Sequence, residues 1–100
     1  MIRGTTPTHT FTIPFDVSGI KTVKIIYAQD DVVIVEKLTE SCVLDGMSIK
    51  TTLTQEETLK FDHKKAVQIQ IRILTSGGTA LASIVEQVGV SKLLDSEVLV

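Results

Sequence analysis

The stretch Ala66 to Thr75, "AVQIQIRILT", constrains the chain most, because Val67, Ile69, Ile71 and Ile73 alternate with Gln68, Gln70 and Arg72. Successive side chains on a strand point to opposite faces, so this two-residue period sets four branched aliphatics on one side and polar groups on the other. A helix would scatter the same residues around its axis. The stretch is therefore predicted to be a central strand with one face in a core and one face wet.

The same period recurs along the chain. Phe11, Ile13 and Phe15 alternate with Thr10, Thr12 and Pro14, and Pro14, which lacks an N–H, confines that strand to a sheet edge or places its end. "KTVKIIYAQ" sets Val23, Ile25 and Tyr27 on one face and Lys24, Ile26 and Ala28 on the other. After the polar break Gln29 to Asp31, Val32 to Leu38 reads as the second arm of a hairpin. A short strand at Cys42 to Leu44, the turn "LDG" and a strand from Met47 to Leu53 follow. "SGGT" at Ser76 to Thr79 is a hairpin turn, since glycine accepts the positive φ that tight turns need. Its partner strand runs from Ala80 to Val90, and the alternation breaks at Ser83-Ile84-Val85, where a bulge is expected. The tail "KLLDSEVLV" is apolar at Leu93, Leu94, Val98, Leu99 and Val100 and reads as a helical turn or a further strand.

"LTQEETLKF", Leu53 to Phe61, has two readings, because Thr54 followed by Glu57 opens helices while the flanking runs alternate like strands. Isolated helices this short are marginal in water. The stretch is better read as a capping box on a single turn that carries the chain between sheets, with Leu53, Leu59 and Phe61 anchoring its ends.

About seven short strands at intervals of roughly eight to twelve residues predict an all-β fold. We expect one domain, residues 1–100, built as a two-sheet antiparallel sandwich of immunoglobulin-like type with one helical turn at the sheet crossing; a small antiparallel barrel satisfies the same spacing. A chain of 100 residues buries roughly two-thirds of its unfolded surface and can stand on its core alone. That core is aliphatic, since the aromatics are only Phe11, Phe15, Tyr27 and Phe61.

The formal net charge of -2, with both signs mixed along the chain, gives no field that would draw nucleic acid or an anionic membrane. His63-Lys64-Lys65 reads as a solvated turn, and the few aromatics leave few stacking platforms for bases or sugars. "VVIV" at Val32 to Val35 is far too short to cross a bilayer, which takes about twenty residues. "MIRGTTPTHT" lacks the apolar run of a secretory signal and Cys42 has no partner, so the chain is expected to be made and folded in the cytosol.

Chemistry is sparse. His9 sits near a terminus and His63 in a polar turn, and neither is placed beside a nucleophile. Cys42, His9 and His63 lack metal-site spacing, Asp30-Asp31 lacks the successive oxygen ligands and glycine of a calcium loop, and "SGGT" lacks the Lys and helix of a phosphate loop. The neighbouring Glu56 and Glu57 are expected to be ionised and solvated, and Cys42 to be a small core residue. No catalytic, cofactor-binding or metal-ligating residue is assigned, and no cofactor is expected. What exceeds the needs of a lone sandwich is apolar surface. "VVIV" is apolar on both faces and Ile26 extends it, so Ile26, Val33, Val35, Val98 and Leu99 are the candidate partner interface, to be covered by the chain's own tail or by another subunit.

"MIRGTTPTHTFTIPFD", "IYAQ", "LTQEETLKF" and "IQIRILTSGGTALAS" together resemble small proteins encoded among virion structural genes in phages and prophages of Gram-positive bacteria. The resemblance covers nearly the whole chain. The order of strand, "LTQEET" crossing and glycine hairpin is similar, more loosely, to the amino-terminal sandwich domain of phage upper-baseplate proteins. The resemblance implies assembly through protein contacts, with itself or with other virion proteins, no catalytic residues, and a place in the bacterial cytoplasm and then the virion. A carbohydrate-binding or adhesion module is the alternative, which exposed aromatics would favour.

Overall fold

The computed structural model describes residues 1–100. Eight strands form in chain order: β1 Thr8–Thr12, β2 Ile20–Gln29, β3 Val32–Leu38, β4 Cys42–Asp45, β5 Ser48–Thr52, β6 Val67–Thr75, β7 Ala80–Ala82 and β8 Glu86–Val88. One helical turn, α1 Gln55–Leu59, lies between β5 and β6. The strands form two antiparallel sheets, one ordered β1-β5-β4 and the other β3-β2-β6-β7, with β8 continuing the line of β7 against β6. The chain crosses between sheets after β1, β3 and β5 and turns back within a sheet after β2, β4 and β6. This is the strand order of an immunoglobulin-like sandwich.

The alternating pattern decides which residues meet between the sheets. Val23, Ile25 and Tyr27 of β2 and Val67, Ile69, Ile71 and Ile73 of β6 all turn inward, and they pack with Ile13, Val35, Ile49, Leu53 and Phe61 in one core. Gln68 and Gln70 are half-buried and Arg72 exposed on the other side of β6, as its period requires. β1 is an edge strand that ends before Pro14.

The hairpin from β2 to β3 closes through Asp30 and Asp31 alone, with φ of 49° and 62°, the paired positive values that fit strand twist in a two-residue turn. Asp31 is held there by Gln68, whose Nε2 donates to Oδ1 at 2.9 Å while its Oε1 accepts from the Asp31 N–H at 2.8 Å. Past the turn the register slips by one: Tyr27 faces Val35 but Ala28 faces Val33, leaving Ile34 as an extra residue.

A second bulge interrupts the last strand where the alternation fails. Ala82 pairs with Arg72 and Glu86 with Ile69, so three residues of the outer strand span two of β6. Ser83 repairs the ladder there. Its N–H donates to the Ile71 carbonyl at 2.9 Å, and its Oγ accepts from the Ile71 N–H at 3.1 Å.

"LTQEETLKF" is the crossing turn its capping box predicts. Thr54 Oγ1 accepts from the Glu57 N–H at 3.1 Å, and Glu57 Oε1 accepts from the Thr54 N–H at 2.8 Å. Leu53 and Phe61 are fully buried at its two ends. The tail forms neither a helical turn nor a regular strand. A single parallel bridge joins Ile2 to Ser91, backed by hydrogen bonds between Met1 to Arg3 and Gly89 to Ser91. Gly4 makes that junction possible. Its φ is +73°, and a Cβ there would meet Leu93 Cδ2 at 2.5 Å.

Candidate interaction surfaces

Three places combine accessible surface with polar or apolar groups that the fold leaves unused. The first is a groove of about 640 Å³ running along β1, with β7 and β8 as its far wall. Phe11, Ile13 and Phe15 line one side, Ile69, Ile71 and Ile73 form the floor, and Leu81 and Val88 line the other. Its origin is topological. β1 pairs only with β5, and β7 and β8 only with β6, so each sheet ends here in an unpaired edge. The register of β1, with Leu53 N–H bonded to the Pro7 carbonyl and Ile13 N–H to the Met47 carbonyl, turns the backbone groups of Thr8, Thr10 and Thr12 towards the groove.

The second is a shallower hollow of about 250 Å³ on the outer face of the larger sheet, where Ile26, Ala28, Val33 and Val85 meet Gln68 and Gln70. The bulges in β3 and between β7 and β8 build it: one turns Val33 outward opposite Ala28, and the other brings Val85 over the sheet.

The third is polar and borders the groove, whose lining includes His9. His9, Thr51 and Cys42 are direct neighbours across β1, β5 and β4. His9 Nδ1 shares a 2.7 Å hydrogen bond with the hydroxyl of Tyr27 from the opposite sheet. Burial, and secondarily the amino-terminal ammonium, lowers the His9 pKa, so the ring is neutral near pH 7. Burial first, then the charges of Cys42 and Glu57, raises that of Tyr27, which stays protonated. Burial likewise raises the Cys42 thiol, and its Sγ donates to the Leu38 carbonyl at 3.3 Å. With Thr51 between them, Cys42 and His9 stand about 10 Å apart in backbone terms, too far for a thiolate–imidazole pair. No group of three or more His, Cys, Asp or Glu side chains comes together as a metal cluster.

The five residues singled out as an interface divide among three places. Ile26 and Val33 share the outer hollow, with Val33 49% exposed. Val35 does not belong there. It is 5% exposed in the core opposite Tyr27, because the extra Ile34 reverses the alternation between it and Val33. Val98 and Leu99 lie on the tail, where Leu99 exchanges two hydrogen bonds with the Gln55 side chain at 2.7 and 3.0 Å, and they cover neither Ile26 nor Val33. Glu57 also departs from expectation. It is half-buried and forms a 2.6 Å ion pair with Lys37, an inward-facing residue of β3.

The groove was not legible in the strand pattern, which gives each strand its faces but not which edges stay unpaired. The one available signal was that Pro14 marks β1 as an edge strand. No helix is long and apolar enough to cross a membrane. The chain matches no protein-family model, no curated protein and no solved structure.

Proposed function

We propose that this chain is a non-enzymatic structural protein of a phage or prophage virion, of tail or baseplate type, that works through protein–protein contacts. The observation that carries the reading is the placement of its unused apolar surface: the hollow around Ile26, Val33 and Val85 and the groove between the two sheet edges are both walled by strands and lined by more apolar than polar residues. Surfaces of this kind suit another protein. Against the carbohydrate-binding alternative, Tyr27 and Phe61 are buried, which leaves only the half-buried Phe11 and Phe15 beside the groove. Mass spectrometry of purified particles from the induced host tests the reading. It predicts this chain in the particles at a fixed ratio to the other tail proteins; particles free of it contradict a virion role.

A further inference from the structure

The geometry points to strand exchange: the groove beside β1 receives residues Leu94 to Val100 of a second copy, which lie as a strand between its two unpaired edges. This deepens the assembly reading above and rests on it. The vacancy has the requirements of a strand, an apolar floor between two unpaired edges. Met1 to Arg3 already fills its lower end, parallel to Gly89 to Ser91, and an incoming strand on the same line extends that ladder along β8 and runs antiparallel to β1.

The tail fits in pattern and length. Leu94, Ser96, Val98 and Val100 fall on one face of an extended segment and Asp95, Glu97 and Leu99 on the other, which leaves both carboxylates on the solvent side. Seven residues extend about 23 Å, against about 26 Å for the groove wall from Thr8 to Phe15. To be specific, their contact along the groove has to bury on the order of 1,000 Å² in total. Within its own domain the tail gains little: Leu94 is 95% exposed and Leu99 74% exposed, and the two hydrogen bonds to Gln55 hold Leu99. Direct return into its own groove is obstructed, because Met1 to Arg3 occupies the position beside Gly89 to Ser91 where the chain would have to turn. Reciprocal exchange between two copies closes a dimer, and exchange passed head-to-tail closes into rings or runs on as filaments.

The test uses three proteins in sedimentation and light scattering: the full chain, a form ending at Leu93, and Leu81→Arg, which places a charge on the exposed rim of the groove. The full chain is expected to associate with rising concentration and both altered forms to be monomers. Mixed, they should form a 1:1 complex and nothing larger, since one keeps a groove and the other a tail. A synthetic peptide of Lys92 to Val100 should bind the shortened form, and Thr10→Pro, which removes an edge N–H that β5 does not use, should weaken that binding about tenfold or more. A shortened form that associates like the full chain overturns the exchange while leaving assembly through the outer hollow intact. A monomeric full chain whose shortened form still binds the peptide means that the tail returns to its own groove, and a shortened form that ignores the peptide removes the groove as a strand site; either result overturns the inference.

Discussion

Glu57 Oε1 has two donors at once, the Thr54 N–H at 2.8 Å and Lys37 Nζ at 2.6 Å, so a residue of the helical cap also ties α1 to β3. Burial pushes its carboxyl up, but the hydrogen bonds from Lys37 and Thr54 and the Lys37 charge outweigh this and hold it below the ordinary value. A depressed carboxyl stabilises the fold above its unfolded pKa of about 4.3 and loses that contribution as pH falls through the folded value. Lys37→Met should therefore destabilise by about 1 to 2 kcal/mol at pH 7, by leaving a half-buried carboxylate without its cation, and by less below pH ~4. Urea melts across pH check it; a loss independent of pH contradicts the pairing. His9 works in the same direction. Its lowered pKa means that protonation opposes folding, so stability should begin to fall as pH drops below about 6.5, and His9→Gln should flatten that part of the profile. Gln29 is a third such residue. Its Nε2 donates to the carbonyls of Asp62 and Lys65 at 2.8 and 3.0 Å, and its Oε1 accepts from the Asp62 N–H at 2.9 Å. Gln29→Ala should cost about 2 to 3 kcal/mol, read by thermal or urea unfolding.

At the scale of elements, β6 is the strand whose two faces differ most in consequence. Ile71→Ala opens a cavity beneath both neighbouring strands and should cost about 2 to 5 kcal/mol, whereas Gln70→Ala loses one hydrogen bond, to the Ser83 carbonyl at 2.9 Å, and should cost about 1 kcal/mol. Equal losses in denaturant melts would contradict the orientation of the strand. The extent of β3, the single turn at Thr54 and the break at Ser83 were all readable in the sequence, because each follows from a local rule: period, cap chemistry, or a failure of period. The bulge at Ile34 was not. "VVIV" is apolar at every position, so its period carries no phase, and only pairing with β2 decides that Val33 faces out and Val35 in. The Lys37–Glu57 pair and the Gln29 contacts were hidden for a related reason. They join residues 20, 33 and 36 positions apart, which no local pattern encodes.

Across the whole molecule, the isolated chain leaves two apolar surfaces open. The outer hollow and the groove lie on different sides of the larger sheet, so they can be disabled separately. Val33→Lys should leave the melting curve nearly unchanged, since the side chain is already 49% exposed, and should weaken any contact made through the hollow. The central claim is that the unpaired edge of β1 is filled when copies associate. Amide hydrogen exchange at Thr8, Thr10 and Thr12, followed by NMR from micromolar to millimolar concentration, reads that edge directly. Exchange at these amides should slow by about tenfold or more in step with association measured by light scattering. Association that leaves their exchange unchanged would contradict the claim.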